Sequence, residues 1–250
     1  MDGTLYSTGA PIQGAPEVLR RLQRNGVPYR LVTNTTSRSR SGLVDRLKGY
    51  GFEVSPEDIF SATLAGARLA RAAGHRAVAP FLPEPAMEDL KDLDLVGGTS
   101  GKAPAQAPQA VIIGDLGDRW DYHLVQEAFE YLMAGAELIA LSRDKYWLKD
   151  GRLALDAGPF VAGLEFATGK SALVAGKPSP AFYQAAVESL GTRSGSSVAM
   201  IGDDLWSDVD GAQRAGLEGW LVRTGKFRES VLRESGIKPD RILESIADLG

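Results

Sequence analysis

With 250 residues, 44% of them hydrophobic, and no cysteine, the chain can bury one large core or two modest ones, and it forms no disulfide or iron–sulfur site. Twenty-eight Lys+Arg against 32 Asp+Glu leave a formal charge of −4, which offers no basic field to a phosphate backbone. No segment reaches the run of roughly 18 apolar residues that a bilayer span requires, so neither nucleic acid nor membrane is an expected partner.

In chain order, short hydrophobic runs alternate with amphipathic stretches, the pattern of βαβ units and a parallel sheet. Ala15 to Arg24 reads as a helix with Val18, Leu19 and Leu22 on one face, stopping at Gly26. Tyr29 to Val32 reads as a buried strand ending at Thr33-Asn34, and a second helix runs through Leu43, Val44, Leu47 and Tyr50. Ser55-Pro56-Glu57-Asp58 supplies an N-cap, a proline at the first helical position and an acid three residues after the cap.

From about Leu64 to Thr168 the composition shifts to alanine-rich helices, with strand candidates at Ala110–Ile113 and Glu137–Leu141. Lys149-Asp150-Gly151-Arg152, between Tyr146-Trp147-Leu148 and Leu153-Ala154-Leu155, is a hairpin signal. Tyr146 and Trp147 are expected in the core of this segment. After Gly169 the first pattern returns, with strands at Ala172–Ala175, Val198–Ile201 and Trp220–Val222 and a helix opened by Ser179-Pro180. The expectation is an α/β fold, a Rossmann-like parallel-sheet core of residues 1–63 and 170–250 interrupted by a smaller α/β insert of residues 64–169.

Four clusters fall at or beside the C-terminal ends of expected strands, where open parallel sheets bind ligands. They are Asp2-Gly3-Thr4, Thr33-Asn34, Gly176-Lys177-Pro178, and Gly202-Asp203-Asp204 with Asp208. Singly, each is ordinary turn chemistry. Together they supply carboxylates for a hard cation such as Mg2+, and a hydroxyl, an amide and an ammonium for the oxygens of a phosphoryl group. Two further features are set aside. Gly169-Lys170-Ser171 lacks the glycine spacing and preceding strand of a P-loop. His75 and His123 are too isolated for a zinc site and read as surface residues.

The four clusters resemble, in order, the motifs of the haloacid dehalogenase superfamily of phosphatases, subfamily IIA, whose members carry a cap domain. The stretches are Met1-Asp2-Gly3-Thr4-Leu5-Tyr6, Val32 to Thr36, Ala175 to Pro180, and Ile201 to Asp204 through Asp208 to Ala212, with further similarity over Leu155–Phe160 and Val222–Arg228. The resemblance implies a phosphatase acting through an aspartyl-phosphate, with Mg2+ as cofactor. It implies Asp2 as general acid and base and as a backbone-carbonyl metal ligand. Thr33, Asn34 and Lys177 would hold and neutralise the phosphoryl group, Asp203 would bind the metal by its side chain and Asp208 would support it, while Asp204 is either a ligand or a supporting residue. The insert becomes a cap that selects the leaving group, with Asp115, Arg143 and Trp147 as specificity candidates by location. The implied substrate is a small phosphorylated compound, a phosphoramidate or pyrophosphate ahead of other esters, and a homodimer is one implied assembly.

One departure outweighs these matches. The family nucleophile is the first Asp of Asp-x-Asp, a position immediately before Met1, so the 250 residues do not contain it. A carboxylate nucleophile supplies both the reacting atom and a metal oxygen, so this chain is expected to be inactive. It is also expected to be poorly stable, because the strand before that residue is central in the family's sheet. The favoured explanation is a start assigned at an internal methionine, ahead of a sequence lacking its first residues or a true pseudoenzyme. The alternative function is a non-catalytic protein that binds phosphate esters. No charged-then-apolar leader opens the chain, which makes the cytoplasm the expected compartment.

Overall fold

The computed structural model describes residues 1–104, 106–149, 152–191 and 198–249. Contacts divide the chain into two compact units. One comprises Met1–Thr33, Leu43–Phe60 and Lys177–Gly250, and the other Asn34–Gly42 and Ser61–Gly176. Both are α/β, with parallel strand ladders and helices.

In the first unit, helix Ala15–Arg24 starts with a proline and Glu17 in its first turn and buries Ala15, Val18 and Leu19. These side chains share a core with Leu5, Tyr6, Leu31, Leu43, Leu47 and Phe52. The Ser55 cap is present, with its N–H donating to Asp58 Oδ2 at 2.8 Å. It opens only the single 3-10 turn Pro56–Asp58, because strand Ile59–Ser61 follows at once. Strand Leu31–Thr33 pairs with Ile59–Ser61, while Ala199–Gly202, Glu218–Val222 and Arg241–Leu243 form a separate parallel ladder in that order. Among the described residues no strand pairing joins the two ladders.

The second unit contains a five-stranded parallel sheet in the order Leu173–Val174, Glu137–Ala140, Ala110–Ile113, Ala77–Phe81, Asp94–Leu95. Its central strands Ala77–Phe81 and Ala110–Ile113 are buried at every position, which accounts for their unbroken apolar sequences. Helices Ala62–Ala72, Tyr122–Met133 and Gly158–Thr168 belong to this unit. The strand expected at Ala172–Ala175 is the short Leu173–Val174, and it pairs here, Leu173 opposite Ile139, instead of with the core strands. Its attachment is fixed on both sides, Lys170 Nζ donating to Ala136 O at 2.7 Å and Ala175 N to Ala140 O at 2.8 Å.

Strands Tyr146–Lys149 and Arg152–Leu155 form an antiparallel hairpin. The Asp150-Gly151 turn expected between them lies outside the described residues. The expectation that Tyr146 and Trp147 are core residues is corrected. They are 58% and 42% exposed, because the hairpin is a two-stranded sheet of its own and adds no strand to the five-stranded one. Among the described residues no helix is long and apolar enough to cross a membrane.

Candidate active site

The first unit assembles its polar centre from three chain segments. Strand Ala199–Gly202 delivers Gly202-Asp203-Asp204 at its C-terminal end, and the chain then enters the wide turn Leu205–Asp210. In that turn Val209 N reaches back to Asp204 O, an i to i−5 bond that broadens the helix start. The broadening brings Asp208 back towards Asp204, whose N–H donates to Asp208 Oδ2 at 3.1 Å. Tyr183 OH donates to Ser207 O and ties the turn to helix Pro180–Ser189. Burial keeps that phenol well above its ordinary pKa, so it stays a donor.

Lys177 stands at the entry to helix Pro180–Ser189, preceded by Gly176 and followed by a cis bond to Pro178. Its Nζ donates to Asp208 Oδ1 at 2.5 Å, and both side chains are almost fully buried. A buried ammonium requires such a partner, and a buried Asp208 requires such a cation.

Asp203 is 6% exposed and meets the opening segment of the chain. Thr4 Oγ1 donates to its Oδ1 at 3.4 Å, and Lys226 N donates to its Oδ2 at 2.8 Å. Burial pushes Asp203 above the usual carboxylate range; the Lys226 N–H opposes this and the neighbouring Asp208 charge adds to it. Asp204 differs. Burial acts against its charge too, but hydrogen bonds from Lys226 Nζ, Ser207 N and Trp206 N outweigh that, so it is held below the ordinary value.

The opening segment turns tightly, with Gly3 N donating to Tyr6 O at 2.7 Å and Leu5 N to Met1 O at 2.8 Å. Its contacts to the acid pair and its neighbours run through Thr4 Oγ1, which donates to Asp203, and the Gly3 carbonyl, which accepts from Thr224. Asp2 is itself exposed, and its backbone bridges Tyr6. Thr33 is buried at the end of strand Leu31–Thr33. Asn34 counts with the second unit, where its Oδ1 lies against Gly176. The contacts thus bring together Lys177, Asp203, Asp204, Asp208 and the Gly3-Thr4 turn.

The donor set is one of hard oxygens. Among the described residues no three His, Asp or Glu side chains converge as a ready-made metal cage. Mg2+ does not require one, since it is commonly held by one or two carboxylates together with water and substrate oxygens. Asp203, a buried carboxylate whose charge is disfavoured by its surroundings, fits that description. Asp208 fits it less well as a direct ligand, because its two oxygens are engaged by Lys177 and Asp204 N.

A recess of about 170 Å³ adjoins the acid pair, walled by Asp203, Asp204, Trp206, Lys226, Phe227 and Leu232. A larger open groove of about 460 Å³, over Gln23, Lys48, Phe52 and Asp58, holds none of the motif residues. Thr224-Gly225-Lys226 lie in the stretch Val222–Arg228 that the resemblance includes without a role, and the structure brings them onto Gly3, Asp203 and Asp204. The features set aside in the sequence have structural partners. Gly169 closes helix Gly158–Thr168 in the left-handed conformation, His75 Nε2 lies 2.9 Å from Glu137 Oε2, and His123 stands edge-on to Tyr122. Of the specificity candidates, Asp115 receives Gly117 N at 2.8 Å and Arg143 pairs with Glu165 at 2.7 Å.

Comparison with known proteins gives consistent results over both halves of the chain. A haloacid dehalogenase-like hydrolase family model matches residues 1–96, and a second HAD-like hydrolase model matches residues 174–249. The haloacid dehalogenase-like hydrolase domain-containing protein 2 of Bos taurus is 38% identical over 230 residues, which is 91% of this chain and 83% of that protein. The phospholysine phosphohistidine inorganic pyrophosphate phosphatase of Homo sapiens is 34% identical over 254 residues, 99% of this chain and 90% of the other. A solved structure of glycerol phosphate phosphatase from Mycobacterium tuberculosis in complex with magnesium superposes with a TM-score of 0.81 at 28% identity, covering 98% of this chain and 73% of that one.

Proposed function

Since the chain belongs to the haloacid dehalogenase-like hydrolase family, we propose that its site is that of a Mg2+-dependent phosphatase for small phosphorylated compounds. The observation that carries this reading is the buried Lys177–Asp208 pair beside Asp203 and the Gly3-Thr4 turn, an ammonium and two carboxylates at one end of a parallel ladder.

In this reading Lys177, oriented by Asp208, neutralises charge that builds on the phosphoryl oxygens. The Thr33 hydroxyl and the Asn34 backbone N–H donate to the same oxygens without adding charge. Asp203 and the Asp2 carbonyl would hold Mg2+, with Asp208 supporting, and the ion would supply Lewis-acid neutralisation of the phosphoryl group. Asp2, whose exposed carboxyl can exchange protons with solvent, protonates the leaving group and then takes a proton from the attacking water. The phosphorus is attacked by a carboxylate one residue ahead of Met1, the leaving group departs in line, and water then cleaves the acyl phosphate to release inorganic phosphate. The human relative named for phospholysine, phosphohistidine and pyrophosphate favours phosphoramidates and pyrophosphate as substrates.

The test compares residues 1–250 with the same chain extended by a short apolar strand ending in Asp. Only the extended chain is expected to release nitrophenol from p-nitrophenyl phosphate, dependent on Mg2+ and abolished by Asp203→Asn. A second reading, a phosphate-ester binder without turnover, needs only Thr33, Lys177 and Asp203, all three of them buried polar residues. Tight binding of phosphate esters with no turnover by the extended chain would establish it instead.

A further inference from the structure

Three consecutive residues without a motif role, Thr224, Gly225 and Lys226, fasten the opening turn and the acid pair by three different kinds of contact. Thr224 Oγ1 donates to the carbonyl oxygen of Gly3 at 2.5 Å. Gly225, at φ +59°, lies so close to Asp203 that a Cβ there would sit 2.2 Å from Oδ2 and 2.5 Å from Gly3 Cα. Lys226 donates its backbone N–H to Asp203 Oδ2 and its ammonium to Asp204 Oδ2, both at 2.8 Å. The partners lie 23 and 221 positions away in sequence, so these are tertiary contacts and not local turn chemistry.

The two acids are thereby given different work. Asp204 uses Oδ1 to accept the N–H groups of Trp206 and Ser207, and Oδ2 to accept Lys226, so both oxygens serve to hold the turn. Asp203 is gripped at Oδ2 by a backbone N–H, while its Oδ1 accepts, among the described residues, the long 3.4 Å bond from Thr4. A carboxylate held at one edge keeps the other edge available for a cation.

Resting on the phosphatase reading above, we propose that Thr224, Lys226 and Asp204 are a positioning set that fixes the Asp203 carboxylate and the Asp2-Gly3 peptide relative to each other for a divalent cation, and that Asp204 is not itself a ligand. The Lys226 side chain is 73% exposed, so truncating it opens no cavity, and its effect on Asp203 passes through Asp204, the local backbone and the direct charge of its ammonium. Asp204 keeps its Trp206 and Ser207 N–H donors when the exposed lysine is truncated, so the change should cost little stability, which separates the proposal from a purely structural role.

The experiment uses the 250-residue chain with Mg2+ alone as probe, measured by isothermal titration in the parent, Lys226→Ala, Thr224→Val and Thr224→Ser. The carbon-detected carboxyl resonance of Asp203, identified by its loss in Asp203→Asn, is followed in parallel. Lys226→Ala and Thr224→Val are expected to weaken Mg2+ binding about 10-fold and to shift the Asp203 resonance. Thr224→Ser is expected to restore both, and the urea midpoint of Lys226→Ala to match the parent's. Unchanged Mg2+ affinity and an unmoved resonance in Lys226→Ala and Thr224→Val would overturn the proposal. If the parent takes up no Mg2+, the metal site of the phosphatase reading fails. The positioning set is then judged by the resonance alone, a shift in both variants supporting it and no shift overturning it.

Discussion

Replacing Asp208 by Asn tests whether the buried pair with Lys177 is a structural necessity of the first unit. The carboxamide keeps the size of the side chain and one acceptor oxygen but removes the charge opposite an ammonium 2.5 Å away, where the two side chains are 9% and 5% exposed. At that burial solvent cannot replace the lost partner, and breaking one side of a buried pair generally costs about 3–5 kcal/mol. The remaining amide oxygen can still accept from Lys177 or from Asp204 N, which lies 3.1 Å from the present carboxylate, so the lower end, about 3 kcal/mol, is expected. The assay is urea unfolding with the double variant Lys177→Met/Asp208→Leu included. The double variant should recover most of the loss, because it removes the desolvated charges together and leaves apolar groups of similar volume. A loss below about 1 kcal/mol in Asp208→Asn, or a loss in the double variant equal to the sum of those in Lys177→Met and Asp208→Leu alone, would refute the argument that the two charges depend on each other.

Gly202→Ala should cost at least about 2 kcal/mol, since a Cβ there would stand 2.1 Å from Asp208 Oδ2, whereas Gly74→Ala, with φ +78° but nothing within 4 Å, should cost only about 1 kcal/mol of backbone strain; urea midpoints of the two compare them directly. Asp89→Ala in the second unit removes the acceptor of Arg40 Nε at 2.8 Å and of Ser61 Oγ at 3.0 Å, and a loss of about 2 kcal/mol is expected by the same measurement. In native-state hydrogen exchange, amides of Ala77–Phe81 and Ala110–Ile113 should be the slowest in the second unit. Those of Ala199–Gly202, among the described residues the outer strand of its ladder and with three of its four residues only half-buried, should exchange faster, and equal protection would contradict that outer place.

Much of the architecture could be read from the residues because local signals agree with the final packing. Ala110–Ile113 has an unbroken apolar run because both faces of its sheet are covered, and Ser179-Pro180 opens a helix because proline is pre-set for the first turn. The failures have a common cause, which is that tertiary pairing chooses among elements that look alike in sequence. Leu173–Val174 is too short to carry its own destination, and it pairs with Glu137–Ala140 between the flanking bonds of Lys170 and Ala175. Tyr146 and Trp147 have core-like side chains, yet a hairpin that adds to no sheet leaves them exposed. At the candidate site, the acids and Lys177 are visible with their chemistry, whereas Val222–Arg228 shows only as a similar stretch; the roles of Thr224 and Lys226 are not legible, because a threonine hydroxyl on a carbonyl and a backbone N–H on a carboxylate leave no spacing signature.

The glycines show what the motif letters encode physically. Gly3, Gly202 and Gly225 come from three separate segments, and a Cβ on each would fall 2.0, 2.1 and 2.2 Å from an oxygen of Asp203, Asp208 and Asp203 respectively. Gly3 and Gly225 also need a positive φ, so two requirements coincide there, but Gly202 carries no such backbone demand and is small for the sake of Asp208 alone. Turn propensity therefore explains only part of why glycine stands beside each acid. The larger reason is that carboxylates taken out of water are fixed by backbone approaching within contact distance, which lets N–H groups and the Lys177 ammonium reach them while side-chain bulk is kept away.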